Sequence, residues 1–263
     1  MTLPTYTEYR PPADLSAWVA CLWRINGSIA DGHTLAHRVL PDGCADLVFE
    51  PDSSALVGPM SSATVVELRG EVDVMGIRFR PGSIGTFAGM AADQLLDAAL
   101  PRGELSLALE LSDAQLFASD GLAQRLELLT RLCRRRISTL PPPDPLIRHA
   151  LAYWLPTGVS DLPTVAAMTV AVALSERAFE RRFIRSVGMP PARYRRLARF
   201  RRLLAQQRAG HGDWATSAAA AGYSDQPHLI RDFRAFAGVT PTEWSVAQAA
   251  HAGFVQDARV TTV

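Results

Sequence analysis

Residues Ala220 to Trp244 read A-A-G-Y-S-D-Q-P-H-L-I-R-D-F-R-A-F-A-G-V-T-P-T-E-W, and no other stretch constrains the fold as tightly. Just before it, Trp214, Ser217, Ala218 and Ala221 recur at i, i+3, i+4 and i+7, the signature of a short helix with a small-residue face. Gly222 can take positive φ at a turn without steric cost. Ser224 then reads as the cap of a helix running to about Ala237, with Pro227 in the first turn, where a missing N–H has no intrahelical acceptor to lose. Leu229, Phe233 and Phe236 form the inner stripe, which leaves Gln226, His228, Arg231 and Arg234 projecting outward. Gly238 stops the helix, and Thr240 to Glu243 is a capping box with Pro241 at the next helix's first position. The spacing therefore predicts a helix-turn-helix.

A weaker copy lies 50 residues earlier, counted from Arg181 to Arg231. Val165, Met168, Thr169 and Val172 give the inner stripe of a helix starting near Leu162, with a turn at Ala173. Ser175 caps the next helix, Phe179 and Phe183 face inward, and Gly188 stops it. Arg177, Arg181 and Arg185 fall one turn apart on its outer face. Pro191 to Arg208 reads as a long arginine-rich helix joining the two units.

An α-helix fits the major groove of DNA, where arginine or glutamine can make paired hydrogen bonds to guanine or adenine edges. A single outward arginine fits a solvated charge as well as a DNA contact; two capped repeats that both present arginine argue for DNA. The charge distribution agrees. Residues 1–143 hold 12 Arg against 17 Asp and Glu, whereas residues 163–246 hold 13 Arg against 6. Every Lys or Arg position is Arg, which tracks with the abundance of alanine and carries no functional weight.

The proline run Pro141–Pro145 (P-P-P-D-P) predicts a linker, after which Asp144 can cap a helix with Pro145 at its first position. Leu146, Ile147, Ala150, Leu151 and Trp154 give that helix an apolar face, and Pro156 and Gly158 end it. Before the linker, Trp18 to Ile25, Arg38 to Leu40, Cys44 to Phe49, Val65 to Leu68 and Val72 to Phe79 read as short strands, with a bulge expected at Gly76. A helix capped by Asp120 follows, its Leu122, Leu126, Leu129 and Cys133 stripe reading as core, with a dimer seam as the alternative.

The stretches L-S-E-R-A-F-E-R-R-F…G-M-P-P-A-R-Y and G-Y-S-D-Q-P-H-L-I-R-D-F…G-V-T-P-T-E-W resemble the DNA-binding domain of the AraC/XylS family of transcriptional regulators. The resemblance covers residues 144–246. It implies two helix-turn-helix subdomains joined by a long helix, reading two half-sites about one DNA turn apart. It places Arg177, Glu180 and Arg181 at the base-facing positions of the first unit and Gln226, Pro227, His228 and Arg231 at those of the second. Ser175, Arg182, Arg185, Ser224 and Arg234 complete the candidate DNA contacts, the serines through phosphate. The chain departs from the family at Ala173, where glycine is usual, and at Thr169, Ser217 and Pro227.

The segments L-P-D-G-C-A-D-L-V-F and G-I-R-F-R-P-G resemble an uncharacterised N-terminal domain often joined to such modules. There, Asp42, Asp46, Arg78 and Arg80 either pair with one another or line an effector pocket with Trp18 and Trp23.

The expectation is thus an α+β two-domain chain. Residues 1–140 form a β-rich effector or dimerisation domain with a helical end, 141–145 a linker, 146–246 an all-α DNA-binding domain, and 247–263 a mobile tail. The partners implied are double-stranded DNA, a small-molecule effector and RNA polymerase, with monomer and homodimer both open. No cofactor, no metal and no catalysis are expected: His33 and His37 lack a coordinating pattern, Cys21, Cys44 and Cys133 are too scattered for a four-thiolate site, and no nucleophile elbow or phosphate loop occurs. A signal peptide and an 18-residue apolar run are likewise missing, so a cytoplasmic protein is expected. The competing readings are a β-rich enzyme, or an architectural protein, fused to a DNA-binding module.

Overall fold

The computed structural model describes residues 3–104, 111–119, 121–154, 162–208, 213–250 and 259–261. The chain is α+β, a β-rich N-terminal domain with trailing helices followed by an all-α domain. The N-terminal strands are β1 (Thr5–Tyr9), β2 (Val19–Ser28), β3 (Leu35–Val39), β4 (Ala45–Glu50), β5 (Ser53–Val57), β6 (Thr64–Leu68), β7 (Glu71–Phe79) and β8 (Ala99–Pro101); Arg259–Thr261 adds β9. One sheet runs β8-β5-β4-β7-β2-β1-β9, and β3 pairs with β6 in a second. All pairings are antiparallel except β1 with β9.

Strand alternation gives the large sheet two faces with different tasks. The trailing helices are α1 (Ile84–Ala88), α2 (Asp113–Phe117) and α3 (Leu122–Ile137). Ala45, Leu47 and Phe49 of β4 and Met75, Ile77 and Phe79 of β7 are buried in a core roofed by α3. The predicted α3 stripe packs into that core through Leu126, Leu129 and Cys133, with Leu122 at its margin. The intervening residues Asp46 and Val48 on β4 and Val74 and Arg78 on β7 face the β3–β6 pair across a cavity. Asp120, expected to cap α3, lies outside the described residues, and Gly121 stands at the N-cap.

Gly76 is not a bulge. Register runs through it without a shift, pairing it with Trp23 and Val48, and the irregularity falls between Val19 and Cys21 instead. The glycine serves a close approach: a Cβ there would sit 2.2 Å from the Trp23 ring, so only glycine lets that indole lie across β7. The sequence also left β1, β5 and β8 unmarked; each is only three to five residues long, too short for a clear alternation to stand out.

The helical domain comprises α4 (Pro145–Trp154), α5 (Val165–Ala171), α6 (Glu176–Val187), α7 (Pro191–Arg208), α8 (Trp214–Ala220), α9 (Gln226–Ala237) and α10 (Pro241–Ala250). Asp144 caps α4 as expected, accepting from the Leu146 and Ile147 amides at 3.0 and 3.3 Å. The expected stops at Pro156 and Gly158 lie outside the described residues. Thr164 caps α5, which begins at Val165 rather than near Leu162. Trp154, Phe179, Phe183 and Tyr194 form one aromatic cluster, with Trp154 and Phe183 centroids 5.6 Å apart. Phe200 joins Phe233 and Phe236 in the other unit at 5.2 and 5.4 Å. Burying each such ring contributes about 1.5–3 kcal/mol.

Helix α10 continues to Ala250, and Arg259–Thr261 pairs with β1.

Ala173 holds the α5–α6 turn at φ 52°, whereas the matching Gly222 sits at φ 85°. Left-handed backbone costs a residue with a Cβ about 1–2 kcal/mol. Ala173→Gly is therefore expected to raise stability, by about 0.5–1 kcal/mol once glycine's extra unfolded-state freedom is subtracted. A rise in urea midpoint with unchanged slope is the check; a fall refutes strain at this turn.

The two domains are in direct contact. Arg38 Nη1 donates to Ala237 O at 2.9 Å, and the Ala63 amide donates to Phe236 O at 2.8 Å, both at the C-terminus of α9. Arg193 Nη2 of α7 donates to Ser61 O at 2.9 Å, and Arg201 Nη1 to Asp42 O at 3.1 Å. A Cβ at Gly188, which ends α6, would meet Ala92 O of the 3-10 turn Ala92–Leu95 at 2.8 Å.

Candidate nucleic-acid interface

Helix α6 starts where Ser175 accepts from the Ala178 amide at 3.3 Å and ends at Gly188 in the left-handed conformation. With Phe179, Phe183 and Val187 buried, Arg177, Glu180, Arg181 and Arg185 are exposed, as their spacing required. These four share a shallow surface hollow with Ile184 and with Ala91 and Asp93 of the N-terminal domain. Arg182 is placed elsewhere. Its guanidinium pairs with Asp144, Nη2 reaching Oδ1 at 3.1 Å, so this side chain clamps the start of α4 to α6.

Helix α9 is built the same way with one change. Its cap is Asp225, not Ser224: Asp225 Oδ1 accepts the His228 amide at 2.7 Å, and the Ser224 hydroxyl donates to Asp225 Oδ2 at 3.0 Å. A carboxylate outcompetes a hydroxyl for helix N-terminal N–H groups, and those bonds hold the Asp225 carboxyl below its usual range. Gln226, Arg231 and Arg234 are exposed, as is Pro227. His228 does not project outward. Its ring sits 5.2 Å edge-on from Tyr223, with Nε2 3.3 Å from Arg199 Nη1 and 3.8 Å from Asp232 Oδ2.

Behind His228 lies a network that the sequence reading missed. Asp232 is fully buried and accepts from Arg196 Nε and Nη2 at 3.0 and 2.6 Å, tying α9 to α7. The signal was present: Asp232 is four residues after His228 and one before Phe233, on the inner face by phase.

Of the candidate pocket residues, the structure brings three together. Trp23 Nε1 donates to Asp46 Oδ1 at 2.7 Å, and Arg78 Nε reaches the same oxygen at 3.1 Å. All three line the cavity between the large sheet and the β3–β6 pair, which has a volume of about 470 Å³. Asp42 stands behind Arg78, 3.6 Å from Nη1, and accepts the Cys44 amide at 2.8 Å. Trp18 and Arg80 do not belong to the group. Trp18 is buried in the core under α3, and Arg80 Nε donates to Ser16 O at 2.7 Å.

Pairing and pocket lining, held apart as alternatives by the sequence, thus coincide at Asp46 and Arg78. Burial lifts the Asp46 carboxyl above its ordinary range against the pull of Arg78. Burial acts the same way on Asp42, yet Arg78, Arg201 and the Cys44 amide bring it below the usual value. His37 also lines the cavity, with burial pushing its imidazole down to about 4, while His33 is exposed.

An all-α domain with two capped helix-turn-helix units on one long helix, each showing an exposed arginine face, defines a class of DNA-binding domain. The family described as "Helix-turn-helix domain" matches residues 168–246, and "Domain of unknown function (DUF6597)" matches residues 7–101. The C-terminal domain is a helix-turn-helix domain of the AraC/XylS type, and the chain is a DNA-binding transcription regulator. No curated protein matches the sequence. Among solved structures, ToxT from Vibrio cholerae O395 is similar at 10% identity and TM-score 0.46, covering 85% of this chain and 95% of that one. A variant of apo ToxT from Vibrio cholerae strain SCE256 is similar at 13% identity and TM-score 0.44, covering 85% and 96%. Among the described residues, no helix is long and apolar enough to cross a membrane.

Proposed function

We propose that α6 and α9 are the two recognition helices and read adjacent major-groove segments of one operator. The observation that carries this reading is their matched placement. One precedes and one follows the 18-residue α7, and each exposes an arginine pair four or three residues apart, Arg177 with Arg181 and Arg231 with Arg234. Arg177, Glu180 and Arg181 read bases in the first unit, and Gln226 and Arg231 in the second. Ser175, Arg185, Ser224 and Arg234 hold phosphates. Arg182 and His228 serve by fixing α6 on α4 and α9 on α7.

The domain limits proposed are 1–140 for sensing, 141–145 for connection and 146–246 for DNA binding, with RNA polymerase as a partner of the bound regulator. The sensing site is the 470 Å³ cavity. Its β3 and β6 wall continues into the bonds from Arg38 and Ala63 to the end of α9, so an occupant that moves this wall changes the seating of a reading helix.

Selection of bound duplexes from a random pool with the full chain tests the reading. Two short conserved blocks about one helical turn apart are expected. Recovery of sequences with no shared block would instead support an architectural binder.

A further inference from the structure

The cavity has an unusual charge balance. One guanidinium, Arg78, faces Asp46 at 3.1 Å, Asp42 at 3.6 Å and Glu8 at 3.8 Å, so three carboxylates share it. Arg201 lies close enough to Asp42 to influence it and donates to its backbone oxygen. At the rim, Glu50 and Asp97 add two further acids to the lining. His37 faces the same space as a neutral ring, held so chiefly by burial.

The rest of the wall is apolar and aromatic. Ile25, Val39, Val48, Leu68 and Val74 contribute to it. The Tyr6 and Trp23 rings lie side by side with centroids 5.9 Å apart, and the Tyr6 hydroxyl is turned away to Glu8 Oε1 at 2.8 Å. Asp46 Oδ1 is occupied by Trp23 and Arg78, but Oδ2 receives only two 3.4 Å contacts from Arg78.

These observations decide among ligand charges. A carboxylate or phosphate would be a further acid around a guanidinium already shared by three, next to two more acids at the mouth. A neutral ligand would gain only the apolar walls. A cation gains the second Asp46 oxygen, the acidic surroundings and the faces of Trp23 and Tyr6, which attract positive charge. The volume suits a small molecule, since ligand pockets commonly span about 300–1,000 Å³.

We propose that this cavity binds a small, mainly apolar amine carrying one positive charge, with its ammonium at Asp46 and its apolar body along Trp23 and the β3–β6 wall. The inference rests on the cavity being the sensing site.

The test is isothermal titration of the full chain with three molecules of one skeleton: tryptamine, tryptophol and indole-3-acetate. Tryptamine is expected to bind at least ten times more tightly than indole-3-acetate, with tryptophol between them. Asp46→Asn should erase the preference for the amine. Val48→Trp, which fills the cavity, should remove binding of all three, with operator binding retained as evidence of folding. Equal or tighter binding of indole-3-acetate overturns the ligand class while leaving the cavity as a site. No binding by any of the three, or full tryptamine binding by Val48→Trp, overturns the cavity as the sensing site. Neither outcome touches the DNA-reading assignment, which the operator titration reports separately.

Discussion

Arg78→Met is expected to destabilise the chain by about 3–5 kcal/mol at neutral pH, because removing one partner of a buried ion pair strands the other. Arg78 and Asp46 expose only 13% and 15% of their side chains, and Asp42 and Glu8 only 20% and 19%. Water therefore screens the loss little. Trp23 would be left as the remaining side-chain donor to Asp46.

The pH profile separates this cause from simple loss of packing. Arg78 lowers the pKa of both Asp42 and Asp46, so its removal raises both in the folded chain. A carboxyl whose folded pKa lies above its unfolded value, about 3.9, contributes stability below that value and loses it as pH rises through the folded pKa. The deficit of Arg78→Met should thus be small near pH 4 and grow toward pH 7. Urea unfolding of both chains across that range reads it directly. Adding Asp46→Asn should recover part of the deficit at pH 7 and little at pH 4. A deficit that stays constant with pH would mean that Arg78 matters for its stem, not its charge.

The reach of the sequence follows the range of the interactions involved. Caps, turns and inner stripes are local, and Ser175, Gly188, Gly222, Gly238 and the Thr240–Glu243 box all stand where their spacing placed them. Where two local candidates competed, the stronger acceptor won, as at Asp225 over Ser224. Contacts that join distant segments were not legible. Nothing near Arg182 announces Asp144, which is 38 residues away, and nothing near His228 announces Arg199, which is 29 away. Gly76 shows the same limit. A glycine in a strand signals either a bulge or a close approach, and only the position of Trp23 on the neighbouring strand decides. The pairing of Asp46 with Arg78 was in reach as chemistry, but its second role as a cavity floor depends on the β3–β6 pair closing over it.

Arg181→Ala and Arg231→Ala are each expected to cost about 1–3 kcal/mol of specific DNA binding, and each should relax base preference in one half-site only. The two side chains lie on helices separated by the whole of α7, so the double variant should lose the sum, about 2–6 kcal/mol, without coupling. The losses should be unequal. In the second unit Pro227 offers no polar group and His228 is held against Tyr223 and Arg199, which leaves Gln226 and Arg231 as its proposed base readers. The first unit has Arg177, Glu180 and Arg181, so one deletion there leaves more behind. Arg231→Ala should therefore flatten its half-site more completely than Arg181→Ala flattens the other, although the intact first half-site holds more of the total specificity. Arg182→Ala is the control: with its guanidinium tied to Asp144, it should leave base preference unchanged at both half-sites. Anisotropy titrations at one salt concentration, against the selected operator and against operators scrambled in each half-site, measure all four chains. Unchanged affinity and base preference in both single variants would rule out α6 and α9 as the reading helices.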